Sequence, residues 1–252
     1  MVKKMNSESS TILILHTLEI MVNKETTGVR ELSRELGISP STALRYLQDL
    51  VNNDFLEHDK LQSSYKPGLR LLQLSAQINR GFSLPEIARP FLEKLFATVN
   101  ESVNLGILTK DMRDVVHVDK LTTDRVIRID TSVGKTAPAY CTALGKAMWA
   151  FSPLGDVIEA LNQTELAPIT AATKTNVSDI LQDLKQIKKQ GYAVDAEEYA
   201  EHLQCIAAPI LNSDGRAIAA LSVSALAFPD QELNHKVISH VVDTAHKISA
   251  QL

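Results

Sequence analysis

Ser39, Ser41, Thr42, Arg45, Tyr46 and Gln48 stand close together, with Arg34 shortly before them. Hydroxyls, an amide, a phenol and guanidinium groups are what a protein uses to contact phosphates and base edges in a major groove. A second set lies far downstream. Ser222 and Ser224 alternate by two, so on a strand both hydroxyls point to one face. Cys205 is expected to face them from a neighbouring strand. Thr142 to Ala147 reads as a helix start, whose free N–H groups and dipole favour an anion. Together these residues suit a small acid held without a lysine or arginine. The structural alternative has the serines satisfying backbone groups and Cys205 acting as a small buried hydrophobe.

Catalysis finds less support. Gly145-Lys146 is no phosphate-binding loop, because Tyr140 stands where its first glycine belongs and Ala147 replaces Ser or Thr. Gly134-Lys135-Thr136 fails likewise, with Ile129 at the first position. Cys141, just before a helix start, is placed for a lowered pKa, and His117, His202 and Asp195 exist as partners. No spacing ties them into a triad. His202 and the two cysteines make no zinc pattern. The expectation is no enzyme and no cofactor. A redox sensor built on Cys141 and Cys205 is the alternative function.

The elements that position the first set are legible. Ser39 is a good N-cap and Pro40 suits the first helical position. Leu44, Leu47, Leu50 and Val51 then recur at helical spacing as an expected buried stripe, opposite Ser41, Thr42, Arg45, Tyr46 and Gln48. With Val29 to Leu36 before it and Gly37 between, this is a helix-turn-helix. Phe55 to His58 and Tyr65 to Gly68 read as two strands around a polar tip, a wing from which Lys60 and Lys66 reach phosphates. Two more helices are expected, one ending at Met21 with Ile12, Leu15, Leu18 and Ile20 apolar, the other over Pro67 to Ile78. Punctuation at residues 79–85 marks a boundary.

Beyond it, Leu84 to Val99, Thr142 to Phe151, Val177 to Lys189 and Glu232 to Leu252 read as helices. Ser102 to Leu108, Val115 to Leu121, Val126 to Ile129, Gly191 to Asp195, Leu203 to Leu211 and Ala217 to Val223 read as strands. The turn Asn212-Ser213-Asp214-Gly215 joins the last pair. The pattern implies an α+β domain with a largely antiparallel sheet.

The chain has 252 residues, 44% hydrophobic and 22% charged, enough for sizeable cores. No apolar run is long enough to cross a bilayer, the first residues lack a signal-peptide core, and two cysteines are too few for a disulfide scaffold. A cytoplasmic protein is expected. The net charge of −4 is awkward for a nucleic-acid binder. Lysines and arginines at 3, 4, 24, 30, 34, 45, 60, 66 and 70 are matched one for one by acids at 8, 19, 25, 31, 35, 49, 54, 57 and 59. A basic footprint is absent in bulk, so binding must rest on where charges sit and on two copies acting together.

Four ordered motifs carry a resemblance over nearly the whole chain. They are Gly134 to Ala147, Gly191-Tyr192-Ala193-Val194-Asp195-Ala196-Glu197-Glu198-Tyr199, Leu203 to Ile210, and Leu221-Ser222-Val223-Ser224. With the helix-turn-helix, they resemble an IclR-type transcriptional regulator. That family often has Gly at position 202, where this chain has His202. The resemblance implies a winged helix-turn-helix over residues 1–66, a linker helix and hinge over 67–83, and a GAF/profilin-like effector-binding domain over 84–252. By motif, the effector site takes Ala143, Leu144, Asp195, Leu203, Cys205, Ser222 and Ser224. Asp195 has the structural alternative of a cap or ion pair. The implied partners are operator DNA, a small organic-acid or sugar-acid effector, and further copies of the chain as homodimer or homotetramer. A repressor is the favoured sign of regulation.

Overall fold

A computed structural model of the chain describes residues 9–24, 26–81, 83–123, 132–226 and 231–252. The strand expected over Val126 to Ile129 lies outside them. The chain divides into two compact units, 1–83 and 84–252.

The first unit opens with α1 (Ser10–Asn23), capped by the Ser9 hydroxyl. Its buried line is Leu13, Thr17 and Met21, one residue per turn. The expected apolar line holds in part: Leu18 and Ile20 are half-buried against the core, whereas Ile12 and Leu15 are exposed, as is Val22. Thr17 satisfies its buried hydroxyl by donating to the Leu13 carbonyl at 2.8 Å, which is how a threonine holds a core position. Helix α2 (Val29–Leu36) ends at Gly37, whose φ of 64° suits a residue without a Cβ. Helix α3 (Pro40–Asn52) begins with Ser39 accepting from the Thr42 N–H at 3.2 Å and Pro40 at the first turn. Strands β1 (Leu56–Asp59) and β2 (Ser64–Pro67) pair antiparallel as the wing. At its tip the Asp59 carboxylate accepts from the N–H groups of Leu61 and Gln62. Helix α4 (Leu69–Gly81) closes the unit. Met21, Leu32, Leu36, Ala43, Leu47, Leu50, Leu56 and Tyr65 form the core.

The second unit has the elements α5 (Leu84–Val99), β3 (Ser102–Leu108), β4 (Asp114–Leu121), β5 (Thr136–Pro138), α6 (Ala143–Ala150), α7 (Leu154–Gln163), α8 (Val177–Gln190), β6 (Ala193–Ala196), β7 (Leu203–Leu211), β8 (Ala217–Leu226) and α9 (Gln231–Ser249). The six strands form one sheet in the order β5-β4-β3-β8-β7-β6, antiparallel at every junction. Strand β5 and helix α7 were not expected from the sequence. The first is only three residues long, and the second lacks a side-chain cap and shows solvent seven of its ten positions.

Two layers of helix cover this sheet. Helices α5 and α9 pack together on one face. Helix α6 packs across β3, β4, β6, β7 and β8 on the other, with α8 behind it. Every residue of α6 is buried, so this eight-residue helix is held by packing rather than by its own propensity. Gly145 makes the close approach possible, because a Cβ there would lie 2.3 Å from the Ala139 carbonyl oxygen. The sheet does not close fully against α6, and the space left between them is the site described next.

Candidate functional site

Helix α3 presents Ser41, Leu44, Arg45 and Gln48 to solvent along one face, with Ser39 exposed and Thr42 half-buried at its start. The three hydroxyls at that start are linked, Ser39 Oγ lying 2.9 Å from Ser41 Oγ and 2.8 Å from Thr42 Oγ1. Two sequence expectations are corrected here. Tyr46 is only 2% exposed and belongs to the core. Leu44 is 37% exposed and shares the outward face with Arg45. The buried line is Ala43, Tyr46, Leu47 and Leu50. An aromatic ring removes more apolar area from water than an exposed leucine gives up, and Arg45 keeps its guanidinium 5.3 Å from the Tyr46 ring centre. Arg34 is exposed at the end of α2 and Lys60 at the wing. Lys66 is exposed too but pairs with Glu57 at 3.0 Å, which spends part of its charge locally.

In the second unit a cavity lies between α6 and the sheet, with about 770 Å³ of empty space, its mouth included. Ala143, Leu144, Asp195, Leu203, Cys205, Ser222 and Ser224 all line it. Strand alternation explains the convergence. The pairs Asp195↔Cys205, Cys205↔Ser224 and Ser224↔Ser102 make one row across four strands. The pairs Ala207↔Ser222 and Ser222↔Asn104 make the next. Partners across an antiparallel ladder share a face. Sequence reasoning missed Asn104, Tyr199 and Thr123 in the lining, and considered His117 only as a catalytic partner. The alternation from Ser102 to Asn104 was the available signal for Asn104.

The polar groups of the lining are partly committed. Ser224 Oγ accepts from the Cys205 thiol and from Asn104 Nδ2, both at 3.2 Å. Thr142 Oγ1 caps α6 by accepting from the Gly145 N–H at 3.2 Å. The first N–H groups of the helix, at Ala143 and Leu144, precede the reach of intrahelical bonds. Asp195 is 1% exposed and accepts from the N–H of Glu198 at 2.7 Å and of Tyr199 at 3.4 Å. Burial pushes its carboxyl up to about 6 despite those two bonds. Burial likewise pushes both cysteine thiols up to about 12. The lowered value expected for Cys141 is therefore overturned: Asp195 and Glu198 add repulsion where a helix start alone would favour a thiolate.

Among the described residues that line it there is no lysine or arginine. Lys146, one position past the cap motif, does point inward, which the sequence reading did not foresee. It is fully buried and donates to Glu198, to Asp183 at 3.2 Å and to the Val194 carbonyl at 2.8 Å. Its charge is thus spent on the segment that carries Asp195 and Tyr199, beside the cavity rather than in it. That segment turns sharply. Glu197 and His202 both have left-handed backbone, with φ of 65° and 62°. The glycine usual at position 202 would meet that conformation without a Cβ penalty, and here histidine adopts it.

Comparison with known proteins bears on both units. The model of the bacterial transcriptional regulator IclR C-terminal region matches residues 78–250, and that of the IclR helix-turn-helix domain matches residues 14–60. The chain is 30% identical over 252 residues to the HTH-type transcriptional regulator KdgR of Escherichia coli (strain K12), covering 99% of this chain and 95% of that protein. It is 28% identical over 230 residues to the HTH-type transcriptional repressor AllR of the same strain, covering 90% and 83%. Its fold matches an IclR homolog of Microbacterium hydrocarbonoxydans solved in complex with 4-hydroxybenzoate, at a TM-score of 0.84 and 21% identity over 96% of this chain and 98% of that one.

Proposed function

This chain belongs to the IclR family, and is therefore a DNA-binding transcriptional regulator with a C-terminal effector-binding domain; we propose that it is a repressor released by a small organic-acid or sugar-acid effector seated in the cavity under α6. The observation that carries the reading is the cavity under α6 on which seven motif residues from α6, β6, β7 and β8 converge. Two relatives add to it: AllR is named a repressor, and the structural neighbour holds an aromatic acid. The effector's carboxylate lies against the Ala143 and Leu144 N–H groups and the Ser222 hydroxyl. Ser224 is already held by Cys205 and Asn104, so Ser222 is the freer hydroxyl. Residues 1–66 read operator DNA through Ser39, Ser41, Thr42, Arg45 and Gln48, with Arg34, Lys60 and Lys66 on phosphates. Residues 67–83 join them to the effector domain of 84–252. The protein works in the cytoplasm, where the chromosome is, as a homodimer or a pair of dimers.

Catalysis by a cysteine nucleophile and cysteine redox sensing are both disfavoured by the same physics. A thiol pushed up to about 12 holds almost no thiolate at neutral pH, and thiolate is the reactive form.

The test uses operator fragments selected from genomic DNA by the purified protein. Arg45→Ala is expected to weaken their binding by about 1–3 kcal/mol in gel-shift titration, with an unchanged melting midpoint. Ser222→Ala is expected to raise the effector concentration needed to release DNA, since one lost bond to a charged ligand costs about 1.5–3 kcal/mol. Wild-type operator affinity in the first variant and wild-type release in the second would refute the two halves separately.

A further inference from the structure

Resting on that reading of the cavity, we propose that His117 is its specificity-determining residue: the imidazole exchanges a hydrogen bond with a ligand hydroxyl, so the effector is a hydroxylated acid rather than an unsubstituted one.

The first observation is a fault in the sheet. Between Leu105 and Gly106 the β3–β4 register shifts, so that Leu105 faces Asp119 while Gly106 faces His117. Val118 is the extra residue of a bulge. Asp119 therefore belongs to the far face, where Arg89 of α5 reaches it at 2.8 Å. His117, only two positions away, is switched to the same face as Val115 and lines the cavity. In an unbroken strand His117 and Asp119 would share a side. The bulge aims His117, together with Val115, into the site.

The second observation is a missing partner. His117 is 6% exposed, and its Nδ1 is buried with no hydrogen-bond partner among the described residues. Its main-chain groups are satisfied by Lys135 and Gly134. A buried polar nitrogen left unpaired is costly, and native structures rarely leave one so without a reason. The ring stays neutral: burial first, and then the Lys120 charge, hold its pKa down at about 4. A neutral imidazole offers one donor and one acceptor, and a half-turn about χ2 exchanges Nδ1 with Cδ2 without displacing the ring. An alcohol, itself donor and acceptor, matches that pair. A carboxylate, acceptor only, uses half of it.

The third observation is placement. His117 on β4 and Asp195 on β6 are separated by β3, β8 and β7, roughly 19 Å of sheet at about 4.8 Å per strand. Val115 on the same strand and Ala137 beside it on β5 give that end an apolar side, with Asn104 of β3 and Thr123 also in the lining. A ligand whose carboxylate occupies the serine and α6 region meets the imidazole with its far end, so a distal hydroxyl is what this residue selects.

The experiment compares matched acids with and without hydroxyls: D-gluconate against hexanoate, and glycerate against propionate. Each is titrated into the full chain by calorimetry and by melting midpoint. The wild type is expected to prefer the hydroxylated member of a pair. In His117→Phe, which keeps an aromatic ring without nitrogen, that preference is expected to fall about tenfold, the equivalent of one hydrogen bond. His117→Gln, which restores a donor and acceptor, is expected to recover part of it. Should the Phe variant fail to melt cooperatively, His117→Leu takes its place. A wild type without preference, or a preference retained in the Phe or Leu variant, overturns the role of His117 while leaving the cavity as the acid site. If none of the four acids moves the wild-type midpoint, the acid-effector reading itself falls, and this inference with it.

Discussion

Asp195 shows how a single carboxylate is set by opposing forces. Two backbone N–H groups favour its charge, and burial opposes it more strongly, leaving the group at about 6. An anionic effector nearby repels the charged form and drives the value higher still. Binding such an effector therefore takes up a proton whenever Asp195 starts ionised. The sign follows directly: affinity rises as pH falls from 8 towards 6 and levels off below, with a limit of about tenfold per pH unit for one proton. His117, held at about 4, stays neutral across that window and does not contribute. Calorimetry in buffers of different ionisation enthalpy should show proton uptake at pH 8 that disappears in Asp195→Asn. An affinity that is flat between pH 8 and 6 would remove the anion from the neighbourhood of Asp195.

At the scale of elements, α6 and the segment after β6 form one mechanical piece. Lys146 joins them through Glu198, Asp183 and the Val194 carbonyl, and Lys174 holds Asp183 from the other side at 2.5 Å. Buried ion pairs add little net stability over apolar packing, yet removing one partner strands the other charge. Lys146→Met should therefore destabilise the chain by about 3–5 kcal/mol, read as a lowered denaturant midpoint. The double variant Lys146→Met/Glu198→Leu should recover much of that loss, because no carboxylate at 198 is then left without its ion. Asp183 retains Lys174 in both. A double variant no more stable than the single one would mean that the pair is held for another reason. The same element logic explains α3: Tyr46 fills the core and Leu44 turns outward, so the face proposed to read DNA would carry an apolar side chain suited to a thymine methyl group.

For the whole molecule, charge and exposed apolar surface point to more than one copy on DNA. The first 79 residues carry no net positive charge, and Lys66 is partly neutralised. One copy then has at most about three cations for phosphates, Arg34, Lys60 and the partly paired Lys66, and two copies about six. The slope of log affinity against log salt should be near −5 for a dimer and about half that for a monomer. Ile12, Leu15 and Val22 on α1, with Leu69, Leu72 and Ile78 on α4, are exposed and supply apolar area for self-association. Light scattering should find a dimer or larger at working concentration. A monomer that binds with full affinity would contradict this.

What the sequence determined by itself was everything written in local chemistry. Ser39-Pro40 placed the start of α3 and Gly37 the end of α2, because caps and left-handed residues depend on their nearest neighbours alone. Alternation put Ser222 and Ser224 on one face of β8, since period two is a property of any strand. Which residue of two rivals is buried depended on the packing of other segments, so Tyr46 displaced Leu44 and Leu13 displaced Ile12. The fate of Lys146 depended on carboxylates at 183 and 198, brought close only by the fold. The aim of His117 depended on a one-residue bulge that exists only in the pairing of two strands. Period and cap are set by a few covalently adjacent residues, whereas burial, pKa and side-chain aim are set by groups far apart in the chain, and these only the tertiary structure decided.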